Sequence, residues 1–169
     1  TPTTSAADPS AAQTGAGGPW ARRVHSRREW RAFREYYADY LPRAMPPAAP
    51  PAVCRGPISY KGEALLQRDL AAFKAALGRV SVEEAFVPAI APAMVGRGQN
   101  RYYATEEEYV FAIAEALRTE YRAIVDAGFL LQIDDPRLVT YWILEPSLDL
   151  AQCRAWCRTR VEALNHALR

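Results

Sequence analysis

Histidine and cysteine are scarce here, with two of the former and three of the latter in 169 residues. An odd cysteine count in no framework spacing excludes a disulfide scaffold and fits reduced thiols in a cytoplasmic protein. There is no Cys-x-x-Cys pair, no His-Glu-x-x-His motif and no glycine-rich phosphate loop, so the usual short signatures of redox, metalloprotease and nucleotide sites are missing. No apolar run approaches the roughly 18 to 20 residues of a membrane span, and no membrane contact is expected. The first residues lack the charged-then-apolar layout of a secretory signal. A net charge of +2, with no basic stripe interleaved with aromatics, argues against a nucleic-acid partner. Half of the residues are apolar and 24% are charged, which suits a soluble domain with a real core.

What is present divides the chain into three. Residues 1–18 are Ala, Thr, Ser, Gly, Gln and Pro with almost no charge, a low-complexity segment expected to be a flexible tail. Residues 19–51 combine a helix with a Pro-rich linker. Ser26-Arg27-Arg28-Glu29 has the capping-box pattern, and Trp30, Phe33, Tyr37 and Leu41 follow on one helical face. Five prolines between Pro42 and Pro51 then predict a stiff extended connector.

Residues 52–169 alternate strand and helix. Ala52 to Tyr60 reads as a strand and its exit. A helix over Glu63 to Leu77 follows, with Leu66, Leu70, Phe73 and Leu77 on one stripe and Gly78 as its stop. Ala85 to Pro92 is a second strand, short or irregular because its two prolines donate no ladder hydrogen bonds. After a loop at 96–100, Thr105-Glu106-Glu107-Glu108 caps a helix whose apolar face runs from Val110 to Val125 and ends at Gly128. Phe129-Leu130-Leu131-Gln132-Ile133-Asp134-Asp135-Pro136 is a third strand that ends in two carboxylates. Leu138 to Leu144 is unusually apolar for a loop and reads as a partner contact. The last helix, roughly Leu148 to Leu168, carries Leu150, Cys153, Cys157, Val161, Leu164 and Leu168 along one stripe. Strands separated by helices imply a parallel α/β sheet.

Few residues invite chemistry. Cys153 and Cys157 stand one turn apart but fall on the apolar stripe, as Cys54 falls on a strand, so all three read as core. His166 suits a helix C-terminus better than catalysis, and His25 stands alone. Asp134 and Asp135 are the one constellation. Two carboxylates at a strand terminus can bind an ammonium group, hold a metal or exchange a proton. The other reading of Asp-Asp-Pro is a turn that starts the next segment, and the residues alone leave both open.

Several stretches, taken together, resemble one family. They are Gly56-Pro57-Ile58-Ser59-Tyr60-Lys61-Gly62, Glu84-Ala85-Phe86-Val87-Pro88-Ala89-Ile90-Ala91-Pro92 and Tyr102-Tyr103-Ala104-Thr105-Glu106-Glu107-Glu108-Tyr109, followed by Gln132-Ile133-Asp134-Asp135-Pro136 and Arg160 to Leu168. From about Val53 to Arg169 the sequence is similar to the cobalamin-independent methionine synthase family, in its single-domain synthase-like branch. The resemblance implies a (β/α)8 barrel with a catalytic zinc that activates a thiol for methyl or alkyl transfer. It makes Asp134 the group that holds the amino function of a thiol amino acid, with Asp135, Glu84 and Lys61 as further substrate-binding candidates.

The family's zinc ligands, a His-x-Cys pair, a Glu and a later Cys, have no counterpart here, and only about three βα units are present. No catalytic or metal-ligating residue is therefore assigned to this chain. The expectation is a partial (β/α)8 TIM-type barrel, one half of a heterodimeric split enzyme, completed by a second chain that carries the zinc and acting on a small-molecule thiol and a methyl donor. The alternative is a non-catalytic structural or regulatory subunit of such a complex.

Overall fold

A computed structural model of the chain describes residues 27–44, 52–96 and 98–169. The residue 1–18 tail, His25, the Ser26 cap and most of the Pro-rich linker lie outside them. The described residues form two compact units, one of 27–44 with Trp142–Asp149, the other of the remainder.

In the first unit, α1 (Arg28–Ala32) and α2 (Arg34–Ala44) are separated by a break at Phe33, whose φ of −121° and ψ of 55° leave the helical region. The break takes Phe33 off the expected aromatic face and leaves it exposed, while Trp30 and Leu41 are buried with Tyr37 against them. Arg28 holds this unit to its second segment. Its guanidinium lies 3.4 Å from the Trp142 ring centroid, and its N–H groups donate to the carbonyls of Trp142 and Leu148.

The second unit holds the core. Its elements are β1 (Val53–Cys54), α3 (Glu63–Leu77), β2 (Phe86–Ile90), α4 (Pro92–Val95), β3 (Gln99–Asn100), α5 (Glu106–Asp126), β4 (Leu130–Asp134), α6 (Arg137–Leu144, of which Trp142 to Leu144 belong to the first unit) and α7 (Leu150–Ala167). The architecture is mixed α/β with short parallel strands, and no barrel closes among the described residues. β2 pairs with β4 in parallel, Phe86 opposite Leu130 through Ile90 opposite Asp134. β1 pairs with β3, also in parallel, so the described strands make two separate pairs where the sequence suggested one sheet. The expected strand at 52–60 shrinks to two residues because Gly56-Pro57 interrupts it; beyond them Ile58 N–H donates to the Tyr103 hydroxyl at 2.9 Å. β3 lies inside what reads as a loop, its register set by Gln99 N–H to Ala52 O at 2.8 Å and Arg101 N–H to Cys54 O at 3.0 Å.

The prolines of the second strand act differently from each other. Pro92 occupies the first turn of α4, where a missing N–H costs nothing, so the strand stops at Ile90. Pro88 lies within β2. Leu130 N–H donates to Ala85 O and Ala91 N–H to Asp134 O, so odd-numbered residues from 85 to 91 face β4 and Pro88 turns its nitrogen away. Its ring therefore removes no bond from this ladder.

α5 is the pillar of the unit. Thr105 Oγ1 accepts from Glu108 N–H at 3.0 Å as the sequence leads one to expect, while Glu108 Oε2 accepts from Ala104 N–H at 3.0 Å, one residue before the N-cap that a strict capping box would use. At the other end Gly128 adopts a φ of +89°. Its N–H donates to Val125 O and Phe129 N–H donates to Ile124 O, a Schellman closure that delivers the chain directly into β4. The face between carries Val110, Ile113, Leu117, Tyr121 and Ile124, all buried. Leu70 is buried and Leu66, Phe73 and Leu77 pack against that core.

Two helices differ from expectation. Leu138 to Leu144 is not a loop but most of α6, started by Pro136 and the cap described below. On α7 the buried residues are Cys153, Ala163 and Ala167, whereas Leu150, Val161 and Leu168 are exposed. α7 packs on α5 with Ala163 and Ala167 buried in the same core as Ala114 of α5, so the packed face is offset from the one that side-chain size suggests.

Candidate functional site

Strand alternation decides where each side chain at the end of β4 goes. Val87 and Ala89 on β2 and Leu131 and Ile133 on β4 turn toward the core. Phe86, Pro88 and Ile90, with Leu130, Gln132 and Asp134, form the opposite face, which the described residues leave exposed. Asp134 thus presents its carboxylate at the C-terminal end of a parallel pair, on an open and mostly apolar face, opposite Ile90.

Asp135 points the other way and has a different task. It accepts hydrogen bonds from the backbone N–H groups of Arg137 and Leu138, the N-cap arrangement for α6, with Pro136 following it. Burial, and secondarily the neighbouring Asp134 charge, push its carboxyl above the usual aspartate range, while the two backbone donors and the Arg137 charge oppose this. Its Oδ1 is enclosed without a hydrogen-bond partner among the described residues. The two residues of Asp-Asp-Pro are placed differently: Asp135 stands at the start of α6 and Asp134 is exposed at the end of β4.

Tyr121 secures the strand end from the core side. Its hydroxyl donates to Ile90 O at 2.7 Å, and burial drives its pKa upward. Nothing in the sequence separates Tyr121 from the other members of the α5 stripe, so this role was invisible there. Ile90 lies opposite Asp134, which makes Tyr121 a positioning residue for the strand end that carries it.

The remaining candidates are not gathered beside Asp134. Glu84 is exposed and precedes β2, at the opposite end of the β2–β4 pair. Six residues of extended chain separate it from Ile90, roughly 20 Å at 3.3 Å per residue. Lys61 is exposed just before α3, beyond β1, which pairs with β3 and not with β2. Its neighbour Tyr60 donates to Glu120 Oε2 at 2.8 Å, and burial together with that carboxylate pushes the phenol up to about 12.

The cysteines are poor zinc ligands as placed. Cys153 is buried in α7, and Cys157 Sγ donates to Leu138 O at 3.6 Å. Burial first, then Cys153 and Asp135, raise the Cys157 pKa and keep the free thiol protonated. Cys54 Sγ donates to Gly56 O at 3.3 Å. Among the described residues no three His, Cys, Asp or Glu side chains gather closely enough to hold a metal ion.

The fold and this strand end define a mixed α/β protein with a carboxylate at the C-terminal end of a parallel pair. No family model, curated protein or solved structure matches the chain.

Proposed function

We propose that this chain is a subunit of a split, zinc-dependent methionine-synthase-like methyltransferase, in which a partner chain supplies the zinc ligands and this chain lends part of the substrate pocket. The observation that carries the reading is Asp134, exposed at the end of β4 on a sheet face where Phe86, Ile90 and Leu130 also remain uncovered. An apolar face of this kind, ending in a carboxylate, is what further strands would cover to complete a barrel interior. Asp134 would pair with the ammonium group of a thiol amino acid and orient it, and Tyr121 would hold the strand end in place. The described cysteines do not fit zinc, so no step of the chemistry is assigned to them.

The second reading, a non-catalytic structural or regulatory subunit, draws on Asp135, whose helix-capping role gives the Asp-Asp-Pro stretch a structural use. One experiment separates the two. The chain is co-purified with a companion that bears a His-x-Cys pair and a later Cys, and zinc content and thiol methylation are measured. Asp134→Ala should leave the zinc content unchanged and lower kcat/KM by roughly 100-fold or more. Unchanged turnover in that variant supports the structural subunit, and stoichiometric zinc on this chain alone overturns the division of labour.

A further inference from the structure

Two arginines of the second unit are conspicuous for what they do not touch. Of the other partly buried arginines, Arg28 and Arg118 donate to backbone carbonyls. Arg137 on α6 and Arg160 on α7 are both partly buried, yet neither makes an ion pair among the described residues. Arg137 Nε is fully enclosed and has no hydrogen-bond partner there.

Both lean on one aromatic pair. Tyr141 and Trp156 stack with centroids 3.7 Å apart and planes 8° from parallel. The Arg160 guanidinium lies 4.2 Å from the Trp156 centroid, and that of Arg137 lies 5.8 Å from each ring. The two charges are therefore at most about 10 Å apart, within a Debye length at moderate salt. Arg160, stacked on the Trp156 face, keeps its in-plane N–H edge for an oxyanion, whereas Arg137, equidistant from both rings, lies at the rim of the stack. The acids in range do not neutralise the pair: Glu106 acts on Arg160 and Asp135 on Arg137 without an ion-pair contact, and Asp135 is committed to the α6 cap. Like charges half withdrawn from water, with donors unspent, are costly until an anion meets them.

We propose that Arg137 and Arg160 form a binding site for the phosphate group of a small molecule, backed by the Tyr141–Trp156 stack. A dianion suits two guanidiniums better than a single negative charge does. The site lies between α6 and α7 and is independent of whether a partner completes the sheet.

The test is inorganic phosphate titrated into the full chain, read by calorimetry and by the NMR resonances of the arginine Nε–H groups. Saturable binding with shifts confined to Arg137 and Arg160 is expected. Arg137→Gln and Arg160→Gln should each weaken binding about tenfold or more, while Arg158→Gln, on an exposed position of α7, should leave it unchanged. Should both Gln variants lose their circular-dichroism signal, Arg160→Lys decides, since it keeps the charge but not the fork; binding undiminished in that variant overturns the proposal. Equal weakening by Arg158→Gln, acetate binding as tightly as phosphate, or no saturable binding would each overturn it as well.

Discussion

The two faces of the β2–β4 pair are built from the same ten residues and have opposite fates. Val87, Ala89, Leu131 and Ile133 turn inward onto α5 and α3 and belong to the core. Phe86, Ile90 and Leu130 are 53%, 41% and 52% exposed, and Asp134 joins them. A period of two assigns each residue to one face or the other, so the odd positions of both strands pack into the core while the even ones stay exposed. The lesson is that the covered face carries the core, while the open face contributes little to it.

The sharpest attack on that distinction is on the covered side. Ile124 is completely buried on α5, so Ile124→Ala should destabilise the chain by about 3 kcal/mol, visible as a lower urea midpoint. A loss below about 1 kcal/mol would mean that α5 is not the pillar of the unit.

Tyr121→Phe is the next largest. It removes the donor to Ile90 O and leaves a carbonyl unpaired, costing about 1 to 2 kcal/mol. Amide exchange should accelerate around Ile90 and Ala91 more than along α7, and uniform acceleration would deny Tyr121 a local role.

On the open face Leu130→Thr should change the stability of the isolated chain by less than about 0.5 kcal/mol, since nothing described covers Leu130 and threonine suits a strand. It should also reduce self-association in light scattering. A loss as large as that of Ile124→Ala would erase the distinction between the faces.

The smallest effect is a pH dependence. The Asp135 carboxyl is held above the usual aspartate range, chiefly by burial, so the native state disfavours its charged form. Stability from this group is present below the unfolded aspartate pKa and is lost as pH rises through the raised native value. Asparagine caps a helix as well as aspartate does. Asp135→Asn should therefore match or slightly exceed the parent in stability at neutral pH, with the advantage vanishing in acid. An advantage that instead grows in acid would show that the Asp135 pKa is lowered in the native state.

Much of the architecture was legible because local chemistry controls it. Thr105 and Glu108 close the start of α5, Gly128 ends it, and the five buried apolar positions between them follow the helical period. The strand from Leu130 to Asp134 was equally plain. The α7 face was not, because reading a stripe by side-chain size favours Leu150, Val161 and Leu168, while close helix packing selected Ala163 and Ala167. Phe33 was misplaced for a backbone reason, the break between α1 and α2. Glu84 and Lys61 looked like companions of Asp134 because each lies near a strand, but which end of the strand, and which strand pairs with which, are not local properties.

By itself the sequence determined the limits of α3 and α5, the proline and glycine punctuation, and the presence of paired carboxylates after an apolar run, all set by short-range sterics and hydrogen bonding. Only the tertiary structure decided that Asp135 caps α6 while Asp134 faces outward, that Tyr121 reaches Ile90, and that Arg137 and Arg160 meet across one aromatic stack. These outcomes depend on strand register and on helices distant in sequence coming together, and no local pattern encodes either.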